Sequence, residues 1–195
     1  MFPNPRLLGI CGSLRANSFS SAILTALADA TADRTTYAYA NIAALPHFNQ
    51  DLYVDPLPPP VRFLRDQISA ADGLVIVSPE YNHGIPGVLK NALDWASRPH
   101  NGSPLRDKPV LIVTSSPAVT GGVRAQCQIR ETVISALARP LNTPEIVVGQ
   151  VGTKIIDGRF DDAAVIAFAL IGLDALFAEI ERLAASPNEA LVAAH

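Results

Sequence analysis

Short, nearly continuous apolar runs alternate along this chain with longer stretches in which apolar residues recur every three or four positions. The first run, Leu7-Leu8-Gly9-Ile10-Cys11, closes at Gly12. It offers no polar face and reads as a strand buried on both sides. A helical pattern follows over 18–30, with Ile23, Leu24 and Leu27 on one face. Residues 35–40 are rich in β-formers and predict a second strand. The segment 41–60 holds Pro46, Pro56, Pro58, Pro59 and Pro60; prolines lack the N–H that regular structure needs, so a surface loop is expected there.

The alternation then repeats. A helix is predicted over 61–71 and a strand over 74–77, stopped by Ser78-Pro79. A helix over 86–97 follows, with Pro86 suited to a first turn. A strand over 109–114, a helix over 122–138, a strand over 145–148 and a helix over 161–185 complete the pattern. Five strands separated by helices imply a parallel sheet covered on both faces. Right-handed crossovers make it a doubly wound α/β sandwich. One domain is expected over 1–185, with a flexible tail over 186–195. Such sheets bind ligands beyond the carboxyl ends of their strands, where strand order reverses. The loops after the first, third and fourth strands are therefore the places to search.

Composition narrows the partners. The chain has 195 residues, 49% hydrophobic and 17% charged, enough apolar material for a sizeable core. The net charge of −3 is spread without basic clusters, so neither nucleic acid nor an anionic membrane surface is expected as a partner. Two widely spaced cysteines, Cys11 and Cys127, suit free buried thiols in a reducing compartment better than a disulfide framework. The opening Met1-Phe2-Pro3-Asn4-Pro5-Arg6 lacks the layout of a signal peptide. The most apolar long stretch, 163–178, contains Asp174 and reads as a heavily buried helix rather than a bilayer span. A cytoplasmic location is expected.

The first loop, Gly12-Ser13-Leu14-Arg15-Ala16-Asn17-Ser18-Phe19-Ser20-Ser21, joins a buried strand to a helix start. A helix start presents unpaired N–H groups and a positive dipole end, which suits a phosphate. Ser13, Ser18 and Ser20 add hydroxyls, and Arg15 adds a permanent charge with a planar fork of donors. Helix capping by Ser and Asn explains the hydroxyls but not an arginine in mid-loop. Other phosphate loops do not fit: there is no Gly-Lys-Ser/Thr ending and no Gly-x-Gly-x-x-Gly. A Cys-x5-Arg phosphatase loop from Cys11 would need arginine where Asn17 stands.

After the third strand comes Ser78-Pro79-Glu80-Tyr81-Asn82-His83-Gly84-Ile85-Pro86-Gly87. Its glycines and prolines fix a backbone that can present N–H and C=O groups to a flat ring, and Tyr81 offers a flat surface with a polar tip. His83 has no companion ligand at metal spacing, so it reads as a hydrogen-bonded loop residue and no metal site is expected. Glu80 reads as a cap on a neighbouring turn. After the fourth strand, Ser115-Ser116-Pro117-Ala118-Val119-Thr120-Gly121-Gly122 leaves room for a ring; its glycines serve equally as ring contacts or as a flexible helix entry.

Three segments carry a family resemblance: Gly12-Ser13-Leu14-Arg15 with Ser18; the long motif from Pro79-Glu80-Tyr81-Asn82-His83-Gly84 through Lys90-Asn91-Ala92-Leu93-Asp94-Trp95; and Gly121-Gly122 with Arg124-Ala125-Gln126. In order and spacing, over roughly 7–148, they resemble the NADPH-dependent FMN reductase family, which includes azoreductase-, quinone reductase- and chromate reductase-like proteins. The resemblance implies a flavodoxin-like fold with strand order 2-1-3-4-5 and noncovalent FMN. It implies that Ser13, Arg15, Asn17, Ser18, Phe19 and Ser20 surround the FMN phosphate. It implies that Pro79, Glu80, Tyr81, Asn82, His83 and Gly84 line the ribityl chain and ring, with Ser115 and Ser116 beside the ring. It implies a homodimer or homotetramer. NADPH or NADH would donate the hydride, FMN would carry the chemistry with no separate catalytic side chain, and the acceptor would be a quinone, an azo compound, a metal oxyanion or free flavin. The sequence departs from the family pattern at Pro117-Ala118-Val119-Thr120, which stiffens the third loop. Two other readings are a flavodoxin-type electron carrier and a flavin-free protein that keeps only the fold.

Overall fold

Alternation of side chains along each strand divides the core into two. A computed structural model of the chain describes residues 4–185; the tail expected over 186–195 lies outside the described residues. The elements are β1 (Arg6–Cys11), α1 (Phe19–Asp29), β2 (Thr36–Tyr39), α2 (Pro59–Ala70), β3 (Gly73–Pro79), α3 (Gly87–Ala96), β4 (Pro109–Ser115), α4 (Val123–Ser135), β5 (Arg139–Pro140), β6 (Ile146–Val148), β7 (Ile155–Ile156), β8 (Arg159–Phe160) and α5 (Ala163–Ala185). Leu8, Ile10, Leu74, Ile76, Val110 and Ile112 point to one face, where Leu64 and Ile68 of α2, Leu89 and Leu93 of α3, and Ile129 and Val133 of α4 cover them. The interleaved Leu7, Val75, Val77, Leu111 and Val113 point to the other, under Ile23, Leu24 and Leu27 of α1 and Leu173 and Leu176 of α5. A fully buried side chain of this size contributes roughly 1.5–3 kcal/mol.

The strands run β2-β1-β3-β4, and the outer edge of β4 is shared by β5 and β6. Every pairing in this sheet is parallel. Registers such as Ile10↔Ile76 and Ile76↔Ile112 bring the carboxyl ends of β1, β3 and β4 to one edge. The fold is flavodoxin-like, with the order 2-1-3-4-5 expected from the sequence.

Several boundaries differ from expectation. The fifth position of the sheet is broken: Arg139–Pro140 pairs with Pro109 and Val110, whereas Ile146–Val148 pairs with Val113 to Ser115. The proline run that predicts a loop to residue 60 instead ends inside a helix, because Pro59 and Pro60 occupy first-turn positions where no N–H is needed. Pro86 is the residue before α3 and not part of its first turn. Helix α4 stops at Ser135 because Leu137 is left-handed (φ 66°). There the N–H of Ala138 reaches Val133 O at 2.9 Å and that of Leu137 reaches Ile134 O at 2.9 Å, a Schellman closure with leucine in the usual glycine place.

Helix α5 is the largest departure. It is not heavily buried: only 28% of its most apolar window is covered, and by length and composition it could cross a membrane. It lies along the outside of the sheet and buries one stripe, Ala169, Gly172, Leu173, Leu176 and Phe177. Phe168 and Ile171 stand 41% and 61% exposed on its far side.

Candidate functional site

The turn after β1 is built to approach its neighbour closely. Gly12 N–H extends the sheet by donating to Val77 O at 2.8 Å. A Cβ at Gly12 would stand 2.4 Å from Ser78 Oγ, so a side chain there would push the turn off the sheet. Ser13 Oγ accepts from Arg15 N–H at 3.3 Å, and Ser18, the N-cap of α1, accepts from Ser21 N–H at 3.3 Å. The N–H groups of Asn17, Phe19 and Ser20 donate to nothing among the described residues. They form a cluster of free donors at the positive end of α1.

Two of the predicted residues take unexpected positions here. Ser20 is buried, with its hydroxyl 3.4 Å from the Ser115 hydroxyl, so these two serines link α1 to the end of β4. The Arg15 guanidinium lies over the Phe19 ring, 5.3 Å from its centroid, and donates to Asn17 O at 3.4 Å. Arg15 has no carboxylate partner among the described residues, so its charge remains available.

The loop after β3 is a small hairpin. Tyr81 and Gly84 exchange two backbone hydrogen bonds of 2.9 Å around Asn82 and His83. Both central residues are left-handed, with φ of 49° and 64°, the signature of a type I′ turn. This turn holds Tyr81 outward, 48% exposed. Gln128 of α4 braces the hairpin by accepting Ile85 N–H at 2.7 Å. Glu80 is tied down more firmly. Its carboxylate accepts the N–H groups of Arg124 and Ala125 at 3.0 and 3.2 Å. It thereby caps α4, whose own cap residue, Gly122, has no side chain to do so. The capping role expected for Glu80 is the geometry observed.

The loop after β4 is fastened on its outer side. Ser116 N–H donates to Val148 O at 3.1 Å, Val151 N–H to Ser116 O at 3.1 Å, and Gln150 N–H to Ala118 O at 3.0 Å. The 117–120 segment therefore follows β6 and the turn beyond it, with Val119 at its tip 77% exposed. Leu14, Tyr81 and Val119, one from each loop, are exposed apolar side chains at this edge of the sheet.

The predicted residues divide between two surfaces. Arg15, Asn17, Ser18 and Phe19 open onto a groove of about 530 Å³ between α1 and the β7–β8 hairpin. Ser13, the 79–84 loop, Ser115 and Ser116 do not line that groove. Sequence reasoning missed the hairpin side of it, including Arg159 and Phe160. The available signal was Asp157-Gly158, both left-handed (φ 49° and 77°), between Ile155-Ile156 and Arg159-Phe160. Among the described residues no group of three or more His, Cys, Asp or Glu side chains is placed to hold a metal ion.

A flavodoxin-like sheet with a donor-lined turn and two rigid loops at its carboxyl edge defines the class as an α/β oxidoreductase of the flavodoxin-like kind. Residues 5–153 match the model of the NADPH-dependent FMN reductase family, and the chain belongs to that family. It is 41% identical over 143 residues to an NAD(P)H-dependent FMN reductase of Pseudomonas aeruginosa, covering 73% of this chain and 77% of the relative. It is 40% identical over 152 residues to a quinone reductase of Escherichia coli, covering 77% and 80%. Among solved structures, the flavoenzyme NAD(P)H:(acceptor) oxidoreductase FerB of Paracoccus denitrificans superposes with a TM-score of 0.83 at 29% identity, covering 91% of this chain and 98% of that one. The chain is an enzyme of the NAD(P)H-dependent FMN and quinone reductase type.

Proposed function

We propose that this protein binds FMN at the carboxyl edge of the sheet and passes electrons from NADPH or NADH to a quinone-type acceptor. The single observation that carries the reading is the set of free N–H groups at Asn17, Phe19 and Ser20, with Arg15, which has no carboxylate partner among the described residues, beside them. A dianionic phosphate monoester matches that donor set: each hydrogen bond to a charged group contributes roughly 1.5–3 kcal/mol. Ser13 and the Ser18 N-cap hold the turn so that these donors converge. Pro79, Glu80, Tyr81, Asn82, His83 and Gly84 would border the ring, with Ser115 and Ser116 behind it.

When bound, FMN supplies the hydride chemistry. The chain supplies position and environment. Glu80, locked onto α4, keeps the ring loop from drifting. The type I′ turn presents backbone groups and the Tyr81 face in a preset conformation, which lowers the entropy cost of binding. Leu14, Tyr81 and Val119 form an apolar rim that sheds water around a flat acceptor. Such a rim favours a quinone over a hydrated metal oxyanion, in keeping with the quinone reductases among the relatives. We also read the protein as a cytoplasmic homodimer or homotetramer.

The test uses the purified chain loaded with FMN. Its absorbance spectrum should show bound flavin after desalting, and NADPH or NADH oxidation should accelerate with added 1,4-benzoquinone well above the rate of free FMN. A preparation that takes up no flavin, or oxidises neither nucleotide, would refute the reading.

A further inference from the structure

The groove between α1 and the β7–β8 hairpin includes none of the 79–84 loop, Ser115 or Ser116 in its lining, yet it shares a wall with the phosphate turn. We infer that it receives the adenosine end of the pyridine nucleotide donor, with Arg159 as its anion partner. This deepens the proposed function and rests on it. At about 530 Å³ the groove lies within the range of small-molecule sites. Its sides are Phe19 and the exposed Thr25 of α1 on one side and Ile155 and Phe160 of the hairpin on the other. An aromatic and apolar lining suits a flat base. Two cations sit at its margins: Arg15, stacked on Phe19 and assigned to the flavin phosphate, and Arg159. Arg159 is 83% exposed and meets Asp29 only at 3.7 Å, a contact too loose and too wet to neutralise it. A flat base carrying phosphates is therefore the chemistry that matches both the lining and the free charge.

The hairpin is anchored well enough to form a fixed wall. Asp157 and Gly158 make its turn, Asp161 N–H donates to Lys154 O at 2.8 Å, and Lys154 pairs with Asp162 at the start of α5. The groove is thus bounded by one helix face and one closed hairpin, and opens beside the turn proposed for the flavin phosphate.

The probe is 2′,5′-ADP, which has the adenosine, the 2′-phosphate and one of the two bridging phosphates of NADPH but no nicotinamide. Titrated into FMN-loaded protein in a calorimeter, it should bind without releasing flavin and should compete with NADPH. Arg159→Glu should weaken it at least tenfold and raise the NADPH KM similarly, with kcat at saturating donor nearly unchanged. Thr25→Trp, at an exposed helical position that preserves the fold, should do the same by filling the groove. Failure of 2′,5′-ADP to bind, or wild-type affinity in both variants, would place the adenosine elsewhere and overturn the inference. A wild-type protein that oxidises neither NADPH nor NADH would strike the functional reading instead, because the binding isotherm reports on the groove alone.

Discussion

Glu80 reaches across from the end of β3 to accept the backbone N–H of Arg124, at 3.0 Å, in the first turn of α4. The contact couples two of the three loops at the ligand edge, because Glu80 belongs to one and α4 emerges from the other. Its side chain is 9% exposed, so water replaces it poorly. Glu80→Ala should therefore destabilise the protein by about 1–2 kcal/mol, the range for losing a helix cap with a charge at the helix N-terminus. Glu80→Gln keeps an acceptor and should cost less. Urea denaturation midpoints of the two variants provide the check. Equal stabilities for wild type and Glu80→Ala would show that the cap carries no weight.

Arg15 provides the second prediction. Removing a charge-assisted contact to a phosphate costs about 1.5–3 kcal/mol, so Arg15→Ala should raise the FMN dissociation constant roughly tenfold or more. Fluorescence quenching of FMN on titration with apoprotein measures it. An unchanged constant would confine Arg15 to the neighbouring groove, toward which its stacking on Phe19 already turns it.

His83 separates a turn-forming role from a chemical one. Its φ of 64° is a conformation that side chains disfavour by about 1–2 kcal/mol and that glycine adopts freely. His83→Gly should leave NADPH:quinone turnover within a few-fold of wild type and should not lower stability by more than about 0.5 kcal/mol. Turnover reduced a hundredfold with flavin still bound would identify His83 as a participant in the chemistry.

The parts of this architecture that the sequence announces are those in which local pattern and tertiary environment agree. β1, β3 and β4 are continuous apolar runs because helices cover both of their faces, and Leu74, Ile76 and Val110 are all fully buried. The phosphate turn is legible because serines and a mid-loop arginine have few other reasons to stand before a helix. β5, at two residues, is too short to show a period, and its pairing depends on the neighbouring edge of β4. The β7–β8 hairpin is hidden for the same reason, although Asp157-Gly158 is a strong turn signal. The exposure of α5 is hidden differently: composition reports how apolar a helix is, not how many of its sides find a partner. The link between Ser20 and Ser115, 95 positions apart, is purely tertiary.

The last prediction concerns acid. Asp162 accepts Val165 N–H at 3.0 Å at the start of α5 and pairs with Lys154, which leads into the hairpin. The bond from Lys154, followed by that from the backbone, holds the Asp162 carboxyl below its ordinary value of 3.8. A carboxyl with a depressed folded-state pKa binds fewer protons when folded than when unfolded. Its stabilisation is therefore present above about pH 3.8 and is lost as pH falls through the lower, folded-state value. Asp162→Asn keeps a capping oxygen but cannot titrate, so it should be less stable than wild type near neutral pH, by about 1 kcal/mol or less for a partly exposed pair. The gap should close as pH falls below about 4 and the wild-type carboxyl takes up its proton. Urea midpoints of both proteins across that interval measure the gap. A difference that stays constant with pH would mean that Asp162 contributes only as an uncharged cap and that the pairing with Lys154 adds nothing to the docking of the hairpin on α5.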